Sequence, residues 1–273
     1  MENYAQQQEQ RSEVVSEIFE NKTSKSKFYT QIFLYFGLGI LLTGVVSLLT
    51  SWIFGSIWPM STIGDDGVIY IEETSMMAYS VLLVVSAIAL LIVSFVITFK
   101  SLKGSGSILV PYILYSVIMG IMLSSLSFFV GDAYIIGCAL LITAVLFVGM
   151  AGIGYLTHNK LATWTKVLLG FSIAVILLTL LNLVIIPFGL LGGNWALFEA
   201  SIWLYLLVEV VMLVLILIMV AVDMARIRTI AEHGAGSKNL ALYCALNLYS
   251  DFINLFIYIL RFLLVIVASS RNN

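Results

Sequence analysis

Residues 245–263 read ALNLYSDFINLFIYILRFL, an almost continuous apolar run with one carboxylate, Asp251, in its middle. An acidic residue at the centre of a membrane helix costs about 2.5–3.5 kcal/mol on insertion scales, so it normally faces a protein interior or a water-filled cavity. The polar residues around it are ordered. Tyr243, Asn247, Asp251, Asn254, Tyr258 and Arg261 follow one another at steps of four, four, three, four and three, with Ser250 adjoining, and form one stripe along a single helical face. Lipid cannot satisfy that stripe, so the helix belongs inside a bundle, where other helices or water can. For the asparagines and tyrosines a hydrogen-bonded packing seam and a conduction surface are equal readings; a full carboxylate at this depth favours function.

The rest of the chain sets the class. Of its 273 residues 61% are hydrophobic and 10% charged, against about 25% charged in a soluble globule. The expected fold is all-α, a polytopic membrane protein. Spans need about 20 apolar residues each, and seven segments qualify: 28–55, 76–99, 107–130, 133–157, 163–188, 197–225 and 240–268. Glycine-rich connections such as Gly104-Ser105-Gly106 separate them. The domain plan is a polar tail over 1–27, a seven-helix domain over 28–268 and a short C-terminal tail over 269–273. The first tail is rich in Gln, Glu, Ser and Lys, a composition that predicts disorder, with Val14, Val15, Ile18 and Phe19 as its one apolar cluster. No cleavable signal peptide is expected, because these residues lack an apolar core. No internal repeat supports an inverted-repeat transporter.

Basic residues orient the chain. With the N-terminus in the cytoplasm, the inner side carries Arg11, Lys22, Lys25, Lys27, Lys100, Lys103, Lys160, Lys166, Arg226, Arg228 and Lys238, and the outer connections carry no lysine or arginine. The outer connections instead hold Asp65, Asp66, Glu72, Glu73, Asp132 and Glu199, which is ordinary topology bias or a negative mouth that concentrates cations. Cys138 and Cys244 have neither metal spacing nor a disulfide framework and read as small packing residues. His158 and His233 lie in inner loops with no nucleophile at a recognisable spacing.

Two further acids fall within the spans. Asp223 sits in VAVDMARIRTI at the inner end of the sixth, and Glu209 lies fourteen residues earlier on approximately the same face. The sixth and seventh spans are joined by a short connection, so Asp223 can approach Asp251. Two carboxylates in contact at reduced dielectric cannot both stay charged cheaply, and the pair holds a proton between them. Such a pair responds to pH.

ALNLYSDFINLFIYILRFL resembles the signature of the transmembrane BAX inhibitor motif family, including its bacterial members. Asp223 with Ile227, Asn182 in LLNLV and Gly120 in GIML match as well, and the resemblance covers residues 28–268. It implies a seven-helix fold with the seventh helix central and the other six around it. It also implies that Asp223 and Asp251 are the family's aspartyl pair, sensing pH and gating a passive leak of calcium ions, which would be held transiently at the two carboxylates. Glu209, Asn182, Asn247, Asn254 and Tyr258 are then candidates for the ion path, supplying the oxygen ligands that calcium prefers. The family commonly has Tyr before the first aspartate and Gln three residues after it; here they are Val222 and Arg226. A charged Arg226 one turn from Asp223 pairs with it or changes its working pH. Lys100 and Lys103 are the other candidates for a basic latch, without the bidentate fork of an arginine.

The expected function is a pH-sensitive calcium leak channel. The alternative is a membrane-embedded regulator that binds a membrane protease or cell-death factor through the tail and the basic inner loops. No enzyme, cofactor or nucleic-acid partner is expected; an aspartyl intramembrane hydrolase is conceivable from the pair alone. The bilayer expected is the plasma membrane in a bacterium and the endoplasmic reticulum or Golgi in a eukaryote.

Overall fold

The computed structural model describes residues 2–57, 61–63, 69–103, 107–130, 133–157, most of 168–181, 185, 195–232 and 238–271. Its order is α1 (Glu2–Trp52), a π-helical turn (Ile53–Ile57), β1 (Ser61–Ile63), β2 (Ile69–Ile71), α2 (Glu73–Lys103), α3 (Leu109–Leu123), α4 (Ser125–Val130), α5 (Ala133–Leu156), α6 (Trp195–Glu232) and α7 (Lys238–Arg271). Among the described residues six helices are long and apolar enough to cross a membrane: Ser24–Ile57, Glu73–Lys100, Leu109–Ser127, Ala133–Leu156, Trp203–Glu232 and Lys238–Val267. They coincide with six of the seven expected segments. Much of the other, 163–188, lies outside the described residues, and those described within it are helical.

Three local features depart from a plain helix count. α1 takes in the polar tail, for which composition alone predicts disorder; growth from a formed span needs no separate nucleation. The expected third span is broken at Ser124, where Ser124 Oγ donates to the Ile121 carbonyl at 2.6 Å and Ser125 Oγ to that of Met122 at 2.8 Å. Such serine back-bonding competes with the helical ladder and bends it. The connection between α1 and α2 holds a short antiparallel hairpin, with Ser61 opposite Ile71 and Ile63 opposite Ile69, so the described residues are helical with one small ribbon.

The chain divides into two compact units, residues 1–133 with 230–249 and residues 134–229 with 250–273. In the first, α3 packs against α1 and α2. Gly120 permits the approach to α1, since a Cβ there would lie 2.7 Å from the Thr43 carbonyl oxygen. Tyr112 donates to the Tyr35 carbonyl at 2.6 Å, and the Thr43 and Tyr249 hydroxyls meet at 2.6 Å, so these buried hydroxyls are satisfied. Val93 and Ile97 of α2 bury against Ile108 and Ile118, with Tyr243 and Leu246 of α7 alongside.

The second unit has a different seam. Leu168 and Val175 pack on Val208, Leu215 and Val222 of α6, with Leu204, Val211 and Ile218 completing the stripe. These α6 positions alternate by four and three, the spacing of left-handed coiled-coil packing. α5 meets α6 where Gly154 lies under Ala221, so closely that a Cβ on Gly154 would collide with the Ala221 carbonyl oxygen. Phe147 of α5 sets its ring edge-on to Phe252 of α7 at 5.4 Å. Arg228 stacks on the Tyr155 ring at 4.6 Å and donates to its backbone carbonyl at the end of α5. In both units large apolar side chains such as Leu48, Leu91, Phe95, Val145 and Val148 are exposed in long rows, a surface that suits hydrocarbon rather than water.

Candidate functional site

The site is built by α6 and the second half of α7. Ala221, Val222, Met224 and Ala225 are all buried, so Asp223 is held in an apolar stretch and is itself only 6% exposed. Phe252, locked against Phe147, fixes the rotation of α7 and turns Asp251 toward α6. The carboxyl groups of Asp223 and Asp251 share a side-chain hydrogen bond. A bond between two carboxyl groups requires that one of them carry a proton.

Arg226 completes the cluster from α6, its Nη1 lying 3.3 Å from Asp223 Oδ1 at i, i+3 spacing. With 43% of its side chain exposed it is a solvated partner, and the pairing is correspondingly modest. Asp251 Oδ2 is buried and has no hydrogen-bond partner among the described residues; leaving such an atom unpaired costs about 1–3 kcal/mol.

The stripe read from sequence is present on one continuous helix. Tyr243, Asn247, Ser250, Asp251, Asn254 and Tyr258 are all half-buried, whereas Leu248, Tyr249, Leu255 and Leu260 beside them are sealed. The polar face is thus the accessible one. Glu209 does not join the aspartates: its Oε1 accepts from Arg261 Nη1 at 2.8 Å and its carboxylate also bonds the Tyr205 hydroxyl. The Arg261 guanidinium lies 5.6 Å from the centre of the Tyr258 ring. Lys100 is half-buried on α2, in the other unit. Asn182 and the Lys103 side chain lie outside the described residues. No group of three or more His, Cys, Asp or Glu among the described residues is arranged to hold a metal ion.

Sequence reading placed both aspartates and the stripe but not the Glu209–Arg261 bond. The signal was available. Asp223 and Asp251 set the register of two antiparallel helices; fourteen residues back on α6 and ten on along α7 bring Glu209 and Arg261 to about one turn from each other.

A bundle of apolar helices with a carboxyl pair buried between two of them defines a multi-pass integral membrane protein. The chain belongs to the family described as inhibitor of apoptosis-promoting Bax1, which matches residues 25–267. Among its relatives, the inner membrane protein YbhL of Escherichia coli K12 is 30% identical over 184 residues, 66% of this chain and 71% of that protein. YrjE of Lactococcus lactis is 27% identical over 237 residues, covering 86% and 88% of the two chains. A protein of Borreliella burgdorferi is 24% identical over 249 residues, covering 88% and 92%. No solved structure matches the chain.

Proposed function

We propose that this chain is a passive, pH-sensitive leak channel for calcium ions, with Asp223 and Asp251 as its sensor. The observation that carries the reading is the hydrogen bond between the carboxyl groups of buried Asp223 and half-buried Asp251 on neighbouring helices. It lasts only while a proton is shared, so pH acts directly on the contact between α6 and α7. Asn247, Asn254 and Tyr258 continue the accessible face of α7 and offer oxygen ligands to a passing cation. Two carboxylates alone are a sparse set for calcium, which takes six to eight oxygens, and suit passage better than storage.

In this reading α7 is the seventh and central helix, in keeping with the complete burial of Leu248, Tyr249 and Leu255, and the basic residues hold the N-terminus in the cytoplasm. Calcium is cargo; no cofactor or catalysis is invoked. The test is calcium flux into liposomes containing the purified protein across a pH series. The unsubstituted chain is expected to change its flux with pH, and Asp223→Asn and Asp251→Asn to flatten that profile, because an amide does not titrate. Equal flux in all three would sink the proposal.

The family's description, which speaks of inhibiting Bax1, favours a second reading: a regulator that binds a membrane protease or cell-death factor. Removing residues 1–25 separates the two. Loss of a cellular phenotype with intact liposome flux supports regulation.

A further inference from the structure

The end of α6 and α7 remote from the aspartates carries a groove of about 280 Å³. Leu206, Val210, Leu213, Phe262 and Val265 give it an apolar lining, with Arg261 among its walls. Val210 is shared with a second, wholly apolar groove of about 360 Å³ that opens onto Phe171 and Ile218. Val210, Phe262 and Val265 are half exposed on a membrane-spanning face, so what meets these grooves is lipid. Trp203, 68% exposed, opens the α6 span and suits the headgroup level, where aromatic belts lie. Arg261 lies six residues inside the Val267 end of its span, about 9 Å along the helix, a depth from which an arginine reaches the interface.

The charges add a second constraint. Glu209 is held by Arg261 Nη1 and by the Tyr205 hydroxyl. A guanidinium has five N–H donors, and this one is 51% exposed while giving one hydrogen bond to Glu209. Remaining donors in fork geometry fit a phosphate.

We propose that this face is a specific glycerophospholipid site, with the phosphate on Arg261 and the two acyl chains in the grooves either side of Val210. The site stands whether or not the chain conducts calcium. The test reconstitutes the full chain with phosphatidylglycerol bearing a photoactivatable diazirine on one acyl chain, and in parallel with diacylglycerol bearing the same chain. Labelled residues are then mapped by mass spectrometry. Phosphatidylglycerol is expected to label the groove residues severalfold more than the exposed α2 row of Leu91, Phe95 and Phe99. Leu213→Trp, which fills the first groove, should bring labelling down to the level of that row.

Arg261→Gln and Glu209→Gln break the same ion pair, so a purely structural role moves them together. The proposal instead requires opposite signs: Arg261→Gln lowers phosphatidylglycerol labelling severalfold, and Glu209→Gln raises it by freeing the guanidinium. Groove labelling no greater than that of α2, equal labelling by the two lipids, or the same change in both variants overturns it.

Discussion

Asp251 was legible in the sequence because a charge in an apolar run has a cost that demands an explanation, and its partner because the connection between the last two spans is short. The geometry brings the two carboxyl groups together, and the proposed sharing of a proton between them has a spectroscopic consequence. A protonated carboxyl C=O band in infrared difference spectra is expected to persist as pH falls and to disappear as pH rises past loss of that proton. It should be missing in Asp251→Asn; a band indifferent to pH contradicts the sharing. Gly154, by contrast, was not legible. It is one glycine among twenty, and only the fold reveals that its missing side chain sets the α5 to α6 distance. Gly154→Ala is expected to cost about 1–3 kcal/mol through overpacking against backbone, read as a lowered thermal midpoint in detergent. Gly152, with open space at its Cβ position, should accept alanine with little change.

At the scale of elements, span positions were readable to within several residues because hydropathy alone sets them. Partner faces were not. α6 is apolar on nearly every side, so its four-three seam against Leu168 and Val175 is hidden among equivalent leucines and valines. Leu215→Ala in that seam is expected to lose about 2–5 kcal/mol, whereas Val214→Ala on the half-exposed neighbouring face should stay within about 0.5 kcal/mol. Denaturation of the two variants side by side checks this; equal losses contradict the seam. The hairpin had its own signal, β-branched and aromatic residues in STI and IYI around Gly64 and Gly67, which an exclusively helical reading passes over.

For the whole molecule, membrane insertion follows from composition and is matched by rows of outward apolar side chains. Topology can be measured directly. Reporter fusions at the two termini are expected to fall on opposite sides of the membrane, the N-terminal one in the cytoplasm, if residues 163–188 form the remaining span. Both termini on the same side would remove that span. The contact of Gly154 with Ala221 bears on motion as well as on packing, since two helices that touch through backbone have a fulcrum there. Asp223 is two residues from that point and Glu209 twelve, about 3 Å and 18 Å along the axis. A tilt of α6 about Ala221 would therefore act through very unequal arms: one that barely displaced the aspartate would sweep the glutamate about six times as far, at the end that holds Arg261.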